Sequence, residues 1–254
     1  MAAHSPIVGP LLDTNGDGHI NQDDTPAVVV IAERSLAVLS GTDGTLLWQN
    51  SAVPIFAEGA TPALGDVDGD GKPEIFATTA VPNYGSVVAF NNDGTLKWIS
   101  TEKMSRGTSA GYSGISLADF DGDGKGEIVS GNLVLNHDGS LRWRGPAVDD
   151  SYHSIPVIAD LNLDGQQEII VGRHVYSATG KILWSVPANA YSQTARPAVA
   201  NLDSDPFMEI AYMSGGPCMT LLNHDGSVAW GPVCRNYGGA GPPLIADFDG
   251  DDEP

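Results

Sequence analysis

The chain has 254 residues, 41% of them apolar, with 31 glycines, 17 prolines and a formal charge of −20. That apolar share is enough to build a core, and the turn-rich composition without long helical periodicity points to an all-β class. With 32 acidic residues against 12 basic ones, nucleic acid and anionic membrane are excluded as natural partners. No apolar stretch reaches the length of a membrane span, so no membrane insertion is expected.

Taken in chain order, the first element is a short apolar run ending in DTNGDGHINQDD from Asp13. Asp13, Asn15, Asp17, the His19 carbonyl and Asp24 follow the spacing of an EF-hand loop. The flanks read as strands and Pro26 follows at once. A calcium loop without EF-hand helices is therefore expected. Apolar runs then lead to DGTLLW, ending at Trp48.

The same order recurs four more times. An apolar run meets an acidic loop: DVDGDGKPE from Asp66, DFDGDGKGE from Asp119, DLNLDGQQE from Asp160 and NLDSDPFME from Asn201. A β-rich run follows each loop (EIFATT, EIVSGN, EIIVGR, EIAYMS), then a third run, a polar turn, and a fourth run ending in tryptophan. The tryptophans at 48, 98, 143, 184 and 230 are 50, 45, 41 and 46 residues apart. Four short strands per unit of that length, joined by Asp-Gly turns, describe a β-propeller blade. Tryptophans at a regular place in the outermost strand are expected to pack between blades rather than to stack on a ligand.

The chain closes on GPPLIADFDGDDEP, the first strand and acidic loop of a sixth unit. The expected architecture is five complete four-stranded antiparallel blades plus the start of a sixth, in one propeller domain over 1–254, truncated at the C-terminus. The alternative is a closed five-bladed ring with the tail packed elsewhere. Cys218 and Cys234 flank a strand, an Asp-Gly turn and a strand. That arrangement suits a cross-strand disulfide; two separate buried thiols are the other reading. No secretory core follows Met1, so any export signal is expected to have been removed.

Oxygen-bearing residues at loop positions 1, 3 and 5, with glycine to turn the chain, meet the demands of a hard divalent cation. GDVDGDGKPEIFATT and ADFDGDGKGEIVSGN resemble the FG-GAP/VCBS repeats, the calcium-loop propeller repeats also found in integrin α-chain heads and in many secreted bacterial proteins. The resemblance covers essentially the whole chain. It is specific for fold and weak for biochemical role.

The resemblance implies ligands at positions 1, 3, 5 and 9, with a backbone carbonyl at 7. Those are Asp66, Asp68, Asp70 and Glu74; Asp119, Asp121, Asp123 and Glu127; and Asp160, Asn162, Asp164 and Glu168. Asn201, Asp203, Asp205 and Glu209 form a weaker set, because Pro206 replaces the turning glycine. Asp247, Asp249 and Asp251 form a partial set without a position 9. Three to five calcium ions are expected. Together the loops hold 20 of the 32 acidic residues, and five ions would halve the formal charge of −20. Folding should then be coupled to calcium.

Calcium loops and a disulfide imply an extracellular or cell-surface protein. A protein or glycan ligand is expected on the face opposite the calcium loops. There each connection between blades carries an aromatic residue: Phe56, Tyr112, Tyr152, Tyr191 and Tyr237. Tyr112, Tyr152, His153, Tyr191, Arg196 and Tyr237 are the candidate ligand residues, through stacking and hydrogen bonds; the bland alternative is that the tyrosines plug the gaps between blades. No base and nucleophile pair stands apart from the loops, so no enzyme is expected. A lectin with sugar sites between blades is the runner-up, and a polysaccharide-lyase propeller comes third.

Overall fold

The computed structural model describes residues 5–56, 61–80, 85–104, 114–146, 155–186, 196–214, 218–234 and 243–247, apart from the side chains of residues 196, 213 and 214. The chain divides into two compact units, Met1–Arg144 and Gly145–Pro254. The described residues form five four-stranded antiparallel sheets and no helix. Each sheet is a meander of consecutive strands, as expected for propeller-type blades.

The first unit holds three blades. The first comprises β1 (Ile7–Gly9), β2 (Ala27–Ala32), β3 (Ser35–Ser40) and β4 (Leu46–Asn50). The second comprises β5 (Ala63–Gly65), β6 (Glu74–Thr78), β7 (Ser86–Phe90) and β8 (Leu96–Lys103). The third comprises β9 (Ile115–Ala118), β10 (Glu127–Ser130), β11 (Leu133–Leu135) and β12 (Leu141–Arg144). In the second unit one blade runs through β13 (Val157–Ala159), β14 (Glu168–Val171), β15 (His174–Ser177) and β16 (Ile182–Ser185). The other runs through β17 (Arg196–Ala200), β18 (Glu209–Ser214), β19 (Cys218–Leu222) and β20 (Val228–Cys234). Residues 243–247, where a sixth unit would begin, form no strand.

The middle strands explain why the blades stack. Successive side chains of a strand point to opposite faces, and β6 and β7 are buried at every position. Ile75, Ala77, Val88 and Phe90 join the core shared with the first blade, around Leu36, Val38 and Ile55. Phe76, Val87 and Ala89 point the other way, into the core shared with Ile128, Leu133 and Leu135. In the second unit Ile170 and Val175 meet Ile210, Tyr212 and Leu222 in the same fashion. A strand apolar on both faces has to be sandwiched, so one blade alone would leave both apolar faces in water.

The tryptophans clip neighbouring blades together. Trp48 donates from Nε1 to the Asn92 carbonyl at 3.2 Å, and Trp184 donates to the His224 carbonyl at 3.1 Å. Each ring lies on the Asp-Gly turn of the following blade. A Cβ added at Gly94 would fall 2.7 Å from Trp48, at Gly139 2.7 Å from Trp98, and at Gly226 2.6 Å from Trp184. Those glycines also have positive φ, so both the turn and the ring require glycine. Trp230 departs from the expected pattern. It is 43% exposed, because no later turn packs on it among the described residues.

Cys218 and Cys234 form the disulfide and are directly opposed on β19 and β20. The turn between them closes through Gly226 N–H donating to the Asn223 carbonyl. A cross-link over this short loop constrains the unfolded chain by about 3 kcal/mol. Replacing both cysteines by serine is expected to cost roughly that amount in denaturant unfolding. Reductant should destabilise only the parent.

Candidate metal centres

Each acidic loop joins the first and second strands of its blade. It therefore shares an end of the sheet with the turn between the third and fourth strands. The local fold follows from the sequence. In the second blade Asp66 accepts the Gly69 N–H on Oδ1 at 2.8 Å and the Gly71 N–H on Oδ2 at 2.8 Å. Asp119 does the same for Gly122 and Gly124, at 2.7 and 2.9 Å. Asp13 holds Gly16 and Gly18 at 2.6 and 2.9 Å. The position-1 carboxylate thus curls the chain around itself, and the glycines supply the positive φ that this curl needs.

The position-9 glutamates have a second task. Glu74, Glu127, Glu168 and Glu209 open β6, β10, β14 and β18 and are all nearly or fully buried. Each Oε2 accepts the N–H of the second loop residue: Val67 at 3.1 Å, Phe120 at 2.8 Å, Leu161 at 2.9 Å and Leu202 at 2.7 Å. Across the ladder stands a small residue in each case, Gly65, Ala118, Ala159 or Ala200. Burial pushes the Glu74, Glu127 and Glu168 carboxyls above the ordinary carboxylate range. Ionised carboxylates in such places call for a counter-charge.

Three groups of acid oxygens converge to within 4.8 Å of one another: Asp66, Asp68 and Asp70; Asp119, Asp121 and Glu127; and Asp203, Asp205 and Glu209. The donor sets are oxygen only, which suits a hard cation such as calcium. The third group carries the clearest sign of a missing partner. Glu209 is fully buried, and its Oε1 has no hydrogen-bond partner among the described residues. That loop closes differently from the others, with the Asn201 amide donating from Nδ2 to the Asp205 carbonyl at 2.8 Å. Pro206 stands at the place of the turning glycine, and Asp203 and Asp205 still bring oxygens close to Glu209. All three groups could hold a divalent ion.

Asp13, Asp17 and Asp24 are not drawn into such a group. Asp24 Oδ1 accepts the Thr14 N–H at 2.6 Å and its hydroxyl at 3.1 Å, and Oδ2 accepts the Asn21 N–H at 3.0 Å. Those bonds hold the Asp24 carboxyl below the usual range and make it the staple of its loop. His19 N–H donates to Asp17 Oδ1 at 2.8 Å. In the Asp160 loop, Asp164 N–H donates to both Asp160 and Asn162, at 3.0 and 2.9 Å. Leu163 stands there at φ 56°, where the loops at Asp66 and Asp119 have Gly69 and Gly122. Its side chain is 50% exposed. Leu163→Gly should therefore stabilise the protein by about 1 kcal/mol, since it relieves left-handed backbone strain and gives up little packing. A denaturant midpoint at or below that of the parent would contradict this.

Two cations entered these sites unannounced. Lys97 Nζ lies 2.5 Å from Asp68 Oδ2 and 2.7 Å from Glu74 Oε1. Arg142 reaches Asp121 Oδ2 at 3.0 Å and Glu127 Oε1 at 2.8 Å. Burial acts upward on Asp68, but Lys97 outweighs it and holds the carboxyl below its ordinary value. Arg142 holds Asp121 low in the same sense. The visible signal was a basic residue directly before the tryptophan in DGTLKW and DGSLRW.

Tyr112, Tyr152, His153, Tyr191 and Tyr237 lie outside the described residues, as do Asp249 and Asp251. Arg196 opens β17, but its side chain is outside them too. Asp247 lies in the short described stretch after β20. Phe56 is buried in the core of the first two blades, so at that one position the aromatic residue fills space.

The family model of the FG-GAP-like repeat matches residues 66–130, which span the two most regular loops. Over 74 residues the chain is 34% identical to rhamnogalacturonan endolyase YesW of Bacillus subtilis (strain 168), covering 27% of this chain and 12% of that protein. The biofilm matrix protein Bap1 of V. cholerae is similar in structure over 90% of this chain and 39% of its own, with a TM-score of 0.74 and 30% identity. The rhamnogalacturonan lyase YesW structure superposes with a TM-score of 0.57 at 22% identity, over 91% of this chain and 47% of that one. The chain thus spans less than half the length of these relatives. Residues 66–130 thus carry an FG-GAP-like repeat, and the acidic loops at Asp160 and Asn201 follow the same spacing.

Proposed function

We propose that the chain is a calcium-stabilised extracellular binding module whose ligand is a matrix glycan or a protein displayed with it. The observation that carries this reading is the likeness to Bap1, a biofilm matrix protein, at 30% identity over 90% of the chain. The acidic loops supply the metal part: Asp66, Asp68, Asp70 and Glu74, Asp119, Asp121, Asp123 and Glu127, Asp160, Asn162, Asp164 and Glu168, and the set completed by Glu209 are the proposed calcium ligands. The disulfide fits an oxidising compartment, which supports export to the medium or the cell surface. Ligand contact is assigned to the loops opposite the calcium loops, at Tyr112, Tyr152, His153, Tyr191, Arg196 and Tyr237. Function in repeat scaffolds resides in connections of this kind.

The module is proposed to be non-catalytic. The stretch shared with YesW is the one specific observation in favour of a lyase, and the acidic loops by themselves account for scaffold rather than chemistry. Glycan-array binding with and without chelator tests the proposal. Calcium-dependent binding that falls when Tyr152 and Tyr191 are changed to alanine would support it. Cleavage of rhamnogalacturonan, lost on changing His153, would replace it with the lyase.

A further inference from the structure

Lys97 and Arg142 occupy the same place in two blades, the residue directly before the fourth-strand tryptophan. Alternation along the strand sends the tryptophan to the next blade and its neighbour back across the sheet. Lys97 therefore covers the loop of its own blade, 29 residues from Asp68 and 23 from Glu74. Arg142 covers Asp121 and Glu127 in the same manner. In both blades the cation bonds to loop positions 3 and 9. The corresponding residues elsewhere are Leu47, Leu183 and Ala229, none of which can do so. The loop below Ala229 is the one whose Glu209 Oε1 has no partner among the described residues.

We propose that Lys97 and Arg142 are tethered counter-cations that compete with the divalent ion and divide the loops into two classes. The inference rests on the calcium reading above and adds to it an order of affinity. A calcium ion needs oxygens at about 2.3–2.6 Å. The same oxygens already lie 2.5–3.0 Å from an ammonium or guanidinium. Both cations on one oxygen pair would stand only a few ångströms apart and repel. Loops two and three thus have two of their four carboxylates paired without metal and bind it weakly, at the cost of turning the side chain out. The loops at Asp160 and Asn201 have no such substitute among the described residues. They bind more tightly and depend on the ion for order.

The test is calcium titration calorimetry and thermal unfolding in chelator, on the full chain and on Lys97→Leu, Arg142→Leu and Leu183→Lys. The parent should show two classes of site. Lys97→Leu and Arg142→Leu should each raise the affinity of one weak site by about tenfold or more and lower the melting temperature in chelator. Leu183→Lys should do the reverse, weakening one tight site and raising the chelated melting temperature. Should the leucine variants fail to fold, Leu183→Lys decides the matter alone. A parent that binds calcium while the variants bind it unchanged would overturn this inference and leave the calcium reading standing. A parent that binds no calcium would overturn both.

Discussion

Stripping divalent ions with a chelator is expected to lower the melting temperature by roughly 15–30 °C. Three loops bring acid oxygens within 4.8 Å of one another, and the chain carries a formal charge of −20. An ion that binds only the folded state stabilises it by about 2.7 kcal/mol at a hundredfold excess over its Kd. Three independent sites would add up to roughly 8 kcal/mol. In a domain of this size each kcal/mol is worth roughly 2–4 °C. The loss should be largest where no side-chain cation can take over. Glu209→Gln, which leaves the Leu202 amide an oxygen to bond, should therefore remove one tight site and part of the shift. Differential scanning fluorimetry with calcium added back reads both. A shift of only a few degrees would mean that the Asp–amide hydrogen bonds hold the loops closed by themselves.

Trp98→Ala is expected to cost about 3–5 kcal/mol, the scale of a large aromatic truncation in a core. Its ring packs against the second-blade core and Phe76, with centroids 5.9 Å apart. It also fills the space over Gly139 that a side chain there would need. Losing the ring would open a void between two blades as well as removing apolar burial. Trp230→Ala is the matched control. It removes the same residue from the same strand position, but from a site that is 43% exposed. About 1 kcal/mol or less is expected there. Urea unfolding of the two variants compares them directly. Equal losses would show that the tryptophans act within their own blades, through strand pairing, and not as clips between blades.

The two variants also mark the boundary of what could be read in advance. A blade is a local object: the Asp-Gly turn, the strand alternation and the acidic loop are each set by residues within a few positions of one another. The five sheets and their meander order therefore follow from the repeat, and so does the disulfide, since a hairpin opposes its own flanks. The position-1 aspartates could be read for the same reason, because an Asp-x-Asp-Gly-Asp-Gly run folds around its first carboxylate. The exposure of Trp230 could not, because it depends on which turn lies over it.

What the sequence by itself determined is the repeat, the all-β blades and the set of oxygens offered to a metal, all of which come from short-range spacing. Tertiary structure alone decided how those oxygens are used. It turned Asp24 into a staple by surrounding it with the loop's own amides. It left Glu209 buried with one oxygen unmatched. It also carried Lys97 and Arg142 across the third strand of their blades onto acids more than 14 residues away. The physical reason is the range of the interaction. A hydrogen-bonded turn closes over a few bonds, whereas a charge pair between strands exists only once the whole sheet has set the register that brings its members together.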